Sequence, residues 1–295
     1  MAFRSLISTL FFLLFLPGVA SAAGEAHVLP LKAESPFDGT PFFWVTNSMI
    51  MVWIAAILIF LFCKAATKKM AMIPTGIQNF AEWLIESLYD FFGKILGDHL
   101  VKRTFWFFGG TFLLIVTVNY LGLIPGVGTI GRYDENGHWV GLLRGGNADL
   151  NMTAAMSFTF AILWFYWALT ENSLKDFLAH IFAPKGDFKG AMKVGMIVIF
   201  FLVGILEVVS IGIRPIALTF RLFGNIYGGE QTLEGLAYLG KTGIHEWLAF
   251  LPALPFMFME LLVGLVQALV FTLLSAVFLK LICEHDDHGE HAEEH

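Results

Sequence analysis

The chain has 295 residues, 57% of them hydrophobic and only 14% charged, which excludes an ordinary soluble globule, where about a quarter of residues carry charge. Its net charge of −6 says little about partners, because much of the acid sits in the last dozen residues, and nothing points to nucleic acid. The apolar runs are continuous rather than alternating, and several exceed the roughly 20 residues a helix needs to cross a bilayer, so a polytopic α-helical membrane protein is expected and a membrane β-barrel is not.

In chain order, residues 1–22 read as a secretory signal: Arg4, an apolar run from Leu10 to Leu16, the breakers Pro17 and Gly18, then Ala20-Ser21-Ala22 as a small-residue cleavage pattern. The run is too short for a first membrane helix. Residues 23–41 would then lie outside, ahead of a membrane domain at 42–283. The first span is expected over Phe42 to Phe62, followed by Lys64, Lys68 and Lys69. From Ile77 to Leu100, apolar residues recur at helical spacing (Phe80, Leu84, Leu88, Phe91, Phe92, Ile95) among Glu82, Glu86, Asp90 and Lys94, the pattern of an interfacial amphipathic helix. The second span covers Phe105 to Ile124. A Gly-rich polar stretch from Pro125 to Leu150 reads as an external loop carrying Arg132, Asp134, Glu135, Arg144 and Asp149. Met152 to Leu169 forms the third span, and Lys175, Lys185, Lys189 and Lys193 follow it. The fourth, Val194 to Leu239, is long enough that it must tilt, bend or protrude. The fifth runs from Trp247 to Ile282. The tail 284–295 is acidic and His-rich and reads as solvated rather than metal-binding. Cys63 and Cys283 imply no disulfide framework. The Lys and Arg distribution puts the mature N-terminus outside and the C-terminus in the cytoplasm.

The fourth span carries charge where a membrane helix rarely does. Arg221 lies deep within it, and a guanidinium neither sheds its proton nor leaves water without cost, so its presence points to ion handling. Glu207, Arg214 and Arg221 are seven residues apart, close to two helical turns, and form one stripe about 21 Å long. Asn225 extends the stripe, while Glu230, nine residues beyond Arg221, turns to nearly the opposite face. Glu260 and Gln267 in the fifth span are also seven apart. Any single pair, such as Glu207 with Arg214, serves equally well as glue between helices. Two Arg, three Glu, an Asn and a Gln on two adjacent helices go beyond that and suggest a proton or ion path.

At these residues the chain resembles the a subunit of F-type ATP synthases, over about Thr46 to Lys280. The strongest motif is Arg221-Leu-Phe-Gly-Asn225-Ile-Tyr-Gly-Gly-Glu230, with Glu207 upstream. Further matches are Thr46-Asn-Ser-Met49, Asn119-Tyr-Leu-Gly-Leu-Ile-Pro-Gly126, Asp149-Leu-Asn151 with Thr153, and Gln267-Ala-Leu-Val-Phe271. Two departures stand out, Gly122 where some members have Asp and the apparent signal peptide, while Glu260 occupies a position that is His in some members and Glu in others.

The resemblance implies five transmembrane helices, an interfacial helix and two long tilted C-terminal helices in a bacterial plasma membrane. It implies a non-catalytic subunit with two aqueous half-channels that pass protons to and from a rotating ring of c subunits. The b-subunit peripheral stalk and the rest of the synthase are the other implied partners, and no cofactor or metal is implied. Arg221 matches the stator arginine, Glu207 the cytoplasmic exit acid, and Glu230 with Glu260 the external path. Asn225 and Gln267 match polar neighbours of the arginine, and Arg214 and Asn119 are secondary candidates. The chain carries no phosphate loop of the Gly-x-x-x-x-Gly-Lys type, so ATP chemistry falls to other subunits. A free-standing transporter is the main rival, but no internal repeat accompanies the single charged stripe. A purely structural membrane anchor is the second.

Overall fold

A computed structural model describes residues 33–37, 41–124, 126–127, 130–133, 139–171, 177, 181–182, 191–243 and 253–283. The expected signal segment and the His-rich tail lie outside them. The elements are helix α1 (Asn47–Thr67), helix α2 (Ile77–Gly122), strands β1 (Gly131–Tyr133) and β2 (Trp139–Gly141), and helices α3 (Leu150–Glu171), α4 (Ala191–Gly243) and α5 (Leu254–Cys283). All five helices are long and apolar enough to cross a membrane. The all-α polytopic fold is therefore as expected, with one antiparallel hairpin added, Arg132 opposite Val140.

Helix boundaries follow caps more closely than hydropathy. α1 starts five residues later than the apolar run, because Thr46 Oγ1 accepts a hydrogen bond from the Met49 amide and caps the helix there. Asp149 does the same for α3, its carboxylate accepting from the Asn151 amide at 3.1 Å. The expected amphipathic helix and second span are two helical stretches of α2, separated by a break at Gly97. There φ is 78° and ψ 164°, a conformation open to glycine and strained for any other residue. Before the break, Ala81, Phe92 and Leu96 turn inward while Glu86, Asp90 and Lys94 face out, as an amphipathic helix requires. α4 spans 53 residues, about 80 Å at 1.5 Å per residue, and continues through Pro215.

The chain divides into two units. One comprises Met1–Ile57, Ile115–Met152 and Leu222–Gln267. Its buried interior combines Met51, Ala55, Ile115 and Val118 with an unusual number of polar side chains, among them Ser48, Asn119, Asn147 and Asp149. The other comprises Leu58–Leu114, Thr153–Arg221 and Ala268–His295. It is held by aromatic contacts: Phe92 stacks on Phe108 at 5.6 Å, Phe107 on Phe160 at 6.2 Å, and Trp167 meets Phe108 at 6.1 Å. α5 supplies small buried residues to it, Ala268, Thr272, Ser275 and Ala276, which let helix backbones approach. The Thr272 and Ser275 hydroxyls donate to carbonyls one turn back, so neither needs an outside acceptor. Trp164 Nε1 donates to the Phe278 carbonyl at 2.9 Å, tying α3 to α5.

Gly97→Ala is expected to lower the stability of the purified protein by about 1–3 kcal/mol through backbone strain, since a new Cβ there meets no neighbour within 4 Å. Gly93→Ala, on helical backbone one turn earlier and equally open, is expected not to destabilise. Thermal unfolding in detergent compares the two.

Candidate functional site

The described residues hold two polar sites, one in each unit. In the aromatic unit, α4 carries the stripe. Arg214 donates to Glu207 Oε1 at 2.8 Å, as their seven-residue spacing allows, and its guanidinium lies 4.8 Å over the Phe278 ring. Arg214 is largely buried, so its charge is quenched within the chain. Arg221 is exposed and has no ion-pair partner among the described residues. Both arginines line an open groove of about 400 Å³ with Ser210, Ile213, Leu274 and Phe278. Around them α4 exposes Leu202, Leu206, Val209, Ile213, Ile216 and Phe220, an apolar surface broken by one cation. Surfaces of this kind face lipid or a partner protein.

The second site belongs to the polar unit and gathers acids. Glu230 is mostly buried, with Arg144 Nε 3.9 Å from its Oε2. Glu260 is 6% exposed and lies against the α4 backbone at Gly229, where any Cβ would collide with its carboxylate. A cavity of about 10 Å³, near the lower limit for one water, reaches Glu230 and Glu260 along with Asn119, Gly122, Asn147 and Gly264. Glu230 Oε2 and Glu260 Oε1 are buried and accept no hydrogen bond within the described residues. Carboxyl oxygens so placed are satisfied by a proton or by water, the two currencies of a proton path.

The loop ahead of α3 builds one wall of this site. It reads from sequence as a polar external loop, and within it Arg144, Asn147 and Asp149 are all buried. Ser48 donates to Asp149 Oδ2 at 2.8 Å, Asn147 Nδ2 donates to Asn119 Oδ1 at 2.7 Å, and Asn119 Nδ2 donates to the Gly264 carbonyl at 2.9 Å. Helices α1 and α2 thus pin the loop through the side chains of Ser48 and Asn119. A Cβ on Gly146 would press within 2.8 Å of Val118 and Val52, so the tight seating needs glycine there.

Of the residues singled out from sequence, Glu230 and Glu260 come to one site, and Asn119 supports it as a tether. Glu207 and Arg214 pair, with Arg221 in the same groove. Asn225 is exposed on α4 and Gln267 half-buried on α5. Two residues of the acid site went unread. Glu234, a turn beyond Glu230, places a buried carboxylate oxygen on the same side of α4, and its spacing of four is a usable signal. Arg144 has no such local signal, because its burial comes from the loop folding back.

Known proteins resemble this chain over most of its length. The family described as ATP synthase A chain matches residues 49–280. ATP synthase subunit a of Anaeromyxobacter dehalogenans is 30% identical over 87% of this chain and 61% of that protein. Those of Solidesulfovibrio magneticus and Oceanobacillus iheyensis are each 28% identical, over 82% and 79% of this chain and 86% and 88% of theirs. The chain therefore spans less than two thirds of the Anaeromyxobacter protein and most of the other two.

Asn119→Ala removes one donor and one acceptor from the buried network and is expected to cost about 1–3 kcal/mol for each group left unsatisfied. Chemical or thermal unfolding in detergent checks this, and Asn119→Asp, which keeps only the acceptor, is expected to fall between.

Proposed function

The chain belongs to the ATP synthase A chain family, and from that membership we infer that it is the subunit that carries protons across the membrane sector of an F-type ATP synthase. The observation that supports this reading best is Arg221: a permanent cation on an exposed apolar helix face, with no counter-charge among the described residues. Such a charge calls for an anion from outside the chain. A carboxylate on a ring of c subunits is that anion here.

The acid site is the external half-path. Protons reach Glu230 and Glu260, with Glu234 beside them, and pass to the ring carboxylate, which can face lipid once neutral. After the ring turns, the carboxylate gives up its proton toward Glu207 and the cytoplasm. Arg221 stabilises the anion and so favours release, and as a cation that does not titrate it bars a proton from crossing directly between the half-paths. Each charge that crosses the full potential carries about 2.3 kcal/mol per 100 mV, which a leak would dissipate without torque. Asn225 and Gln267 are polar neighbours of this exchange. Arg214 holds Glu207 in place rather than meeting the ring.

The subunit makes and breaks no bonds of ATP; the rest of the synthase does, with the b-subunit peripheral stalk holding this chain against rotation. In this reading residues 1–22 are a signal segment, the N-terminal side faces outward and the C-terminal tail lies in the cytoplasm of a bacterium. The basic residues after α1 and beside the third span support that orientation.

Arg221→Ala is expected to cut ATP-driven proton pumping in inverted vesicles to below about a tenth of wild type while the complex still assembles. Normal pumping would refute the role. Arg214→Ala, Glu207→Gln and Glu230→Gln are expected to retain more activity than Arg221→Ala in the same assay, because water or neighbours can replace those groups.

A further inference from the structure

We infer that Arg144 is a positioning residue for proton transfer at Glu230, a second fixed cation built into the loop ahead of α3. This deepens the proposed function and rests on the place of Glu230 in it. The Arg144 side chain is 7% exposed, and a guanidinium buried to that degree persists only with compensation. Its compensation includes Glu230, 3.9 Å away, and the Ala148 carbonyl, to which Arg144 Nη2 donates at 3.3 Å. The loop is not free to move the charge aside, since Asn147 is bound to Asn119 and Asp149 to Ser48. On the other side, Glu230 Oε1 lies against the Gly145 backbone, so the carboxylate is confined between loop and helix.

Three acids, Glu230, Glu234 and Glu260, share this site with one arginine. Whatever protons move among the acids, the guanidinium keeps its charge and keeps its hold on Glu230. At 3.9 Å the pair is an ion pair without a short hydrogen bond, unlike Arg214 with Glu207 at 2.8 Å. That separation orients the acid and leaves its oxygen open to a proton.

The test is passive proton flux through membranes stripped of the ATPase head, alongside ATP-driven pumping of the intact complex. It uses Arg144→Gln, Arg144→Lys, Glu230→Gln and the Arg144→Gln/Glu230→Gln double variant. Arg144→Gln is expected to lower flux about tenfold, with Arg144→Lys intermediate and the double variant no worse than the weaker single. A near-normal Arg144→Gln, or losses that multiply in the double, would overturn the proposal. Should Arg144→Gln fail to assemble, Arg144→Lys carries the test: its deficit must vanish in the Glu230→Gln background, and a deficit of equal size there overturns it. Unchanged flux in Glu230→Gln alone would sink the role of Glu230 and the proposal with it, whereas multiplying losses sink only the part given to Arg144.

Discussion

A guanidinium keeps its charge at any pH a cell reaches, so every arginine away from water must find an anion, a carbonyl or a route to solvent. This chain meets the requirement in three ways. Arg214 is closed off by Glu207 and the Phe278 ring. Arg144 is held in a loop by Glu230 and the Ala148 carbonyl. Arg221 is left exposed, without an ion pair among the described residues, amid exposed Leu, Val, Ile and Phe side chains of α4. The first two are internal structure. The third is an interaction site by default, because the surface around it suits lipid or protein and the charge suits neither without a partner.

The two units solve the packing of such charges differently. One relies on aromatic stacking and on small residues along α5, with hydroxyls bonded back to their own helix. It gives α4 a firm apolar seat beneath the Arg214–Glu207 pair. The other relies on a polar network in which Ser48, Asn119, Asn147 and Asp149 bind one another or backbone carbonyls. Each of these bonds fixes two side chains at once, and removing one member strands its partner. Rigidity matters where three carboxylates stand close together. Glu260 fits against α4 only because Gly229 has no side chain, and Glu230 fits against the loop only because Gly145 has none.

Much of this could be read from sequence where the physics is local. The five apolar helices follow from hydropathy and length. The stripe of Glu207, Arg214 and Arg221 follows from a spacing near two turns, and the first pair is bonded as that spacing suggests. Helix starts were misplaced because hydropathy does not see caps: Phe42 to Val45 are apolar, yet the helix begins after Thr46. Gly97 went unread as a break because glycine also occurs freely inside membrane helices. The loop from Pro125 to Leu150 is expected as an external connection, and its buried side chains are what composition does not show. Its Gly-rich, charged composition resembles a solvated connection, and only long-range bonds to Ser48 and Asn119 reveal Arg144 and Asp149 as buried.

The order of charges along α4 explains why two arginines in one groove behave differently. Glu207 precedes Arg214 by two turns and Arg221 by four, so a single acid reaches the nearer arginine and falls about 21 Å short of the farther one. Beyond Arg221 the next acid, Glu230, is rotated to another face and is already engaged with Arg144. The helix therefore supplies Glu207 before Arg221 and Glu230 with Glu234 beyond it, and none of the three pairs with that arginine. A counter-charge fixed on the same chain would bind this arginine permanently, and a permanently bound cation could not favour one protonation state of a passing group over another. In the proposed function, leaving it unmatched is what allows a visiting carboxylate to be held while charged and released when neutral.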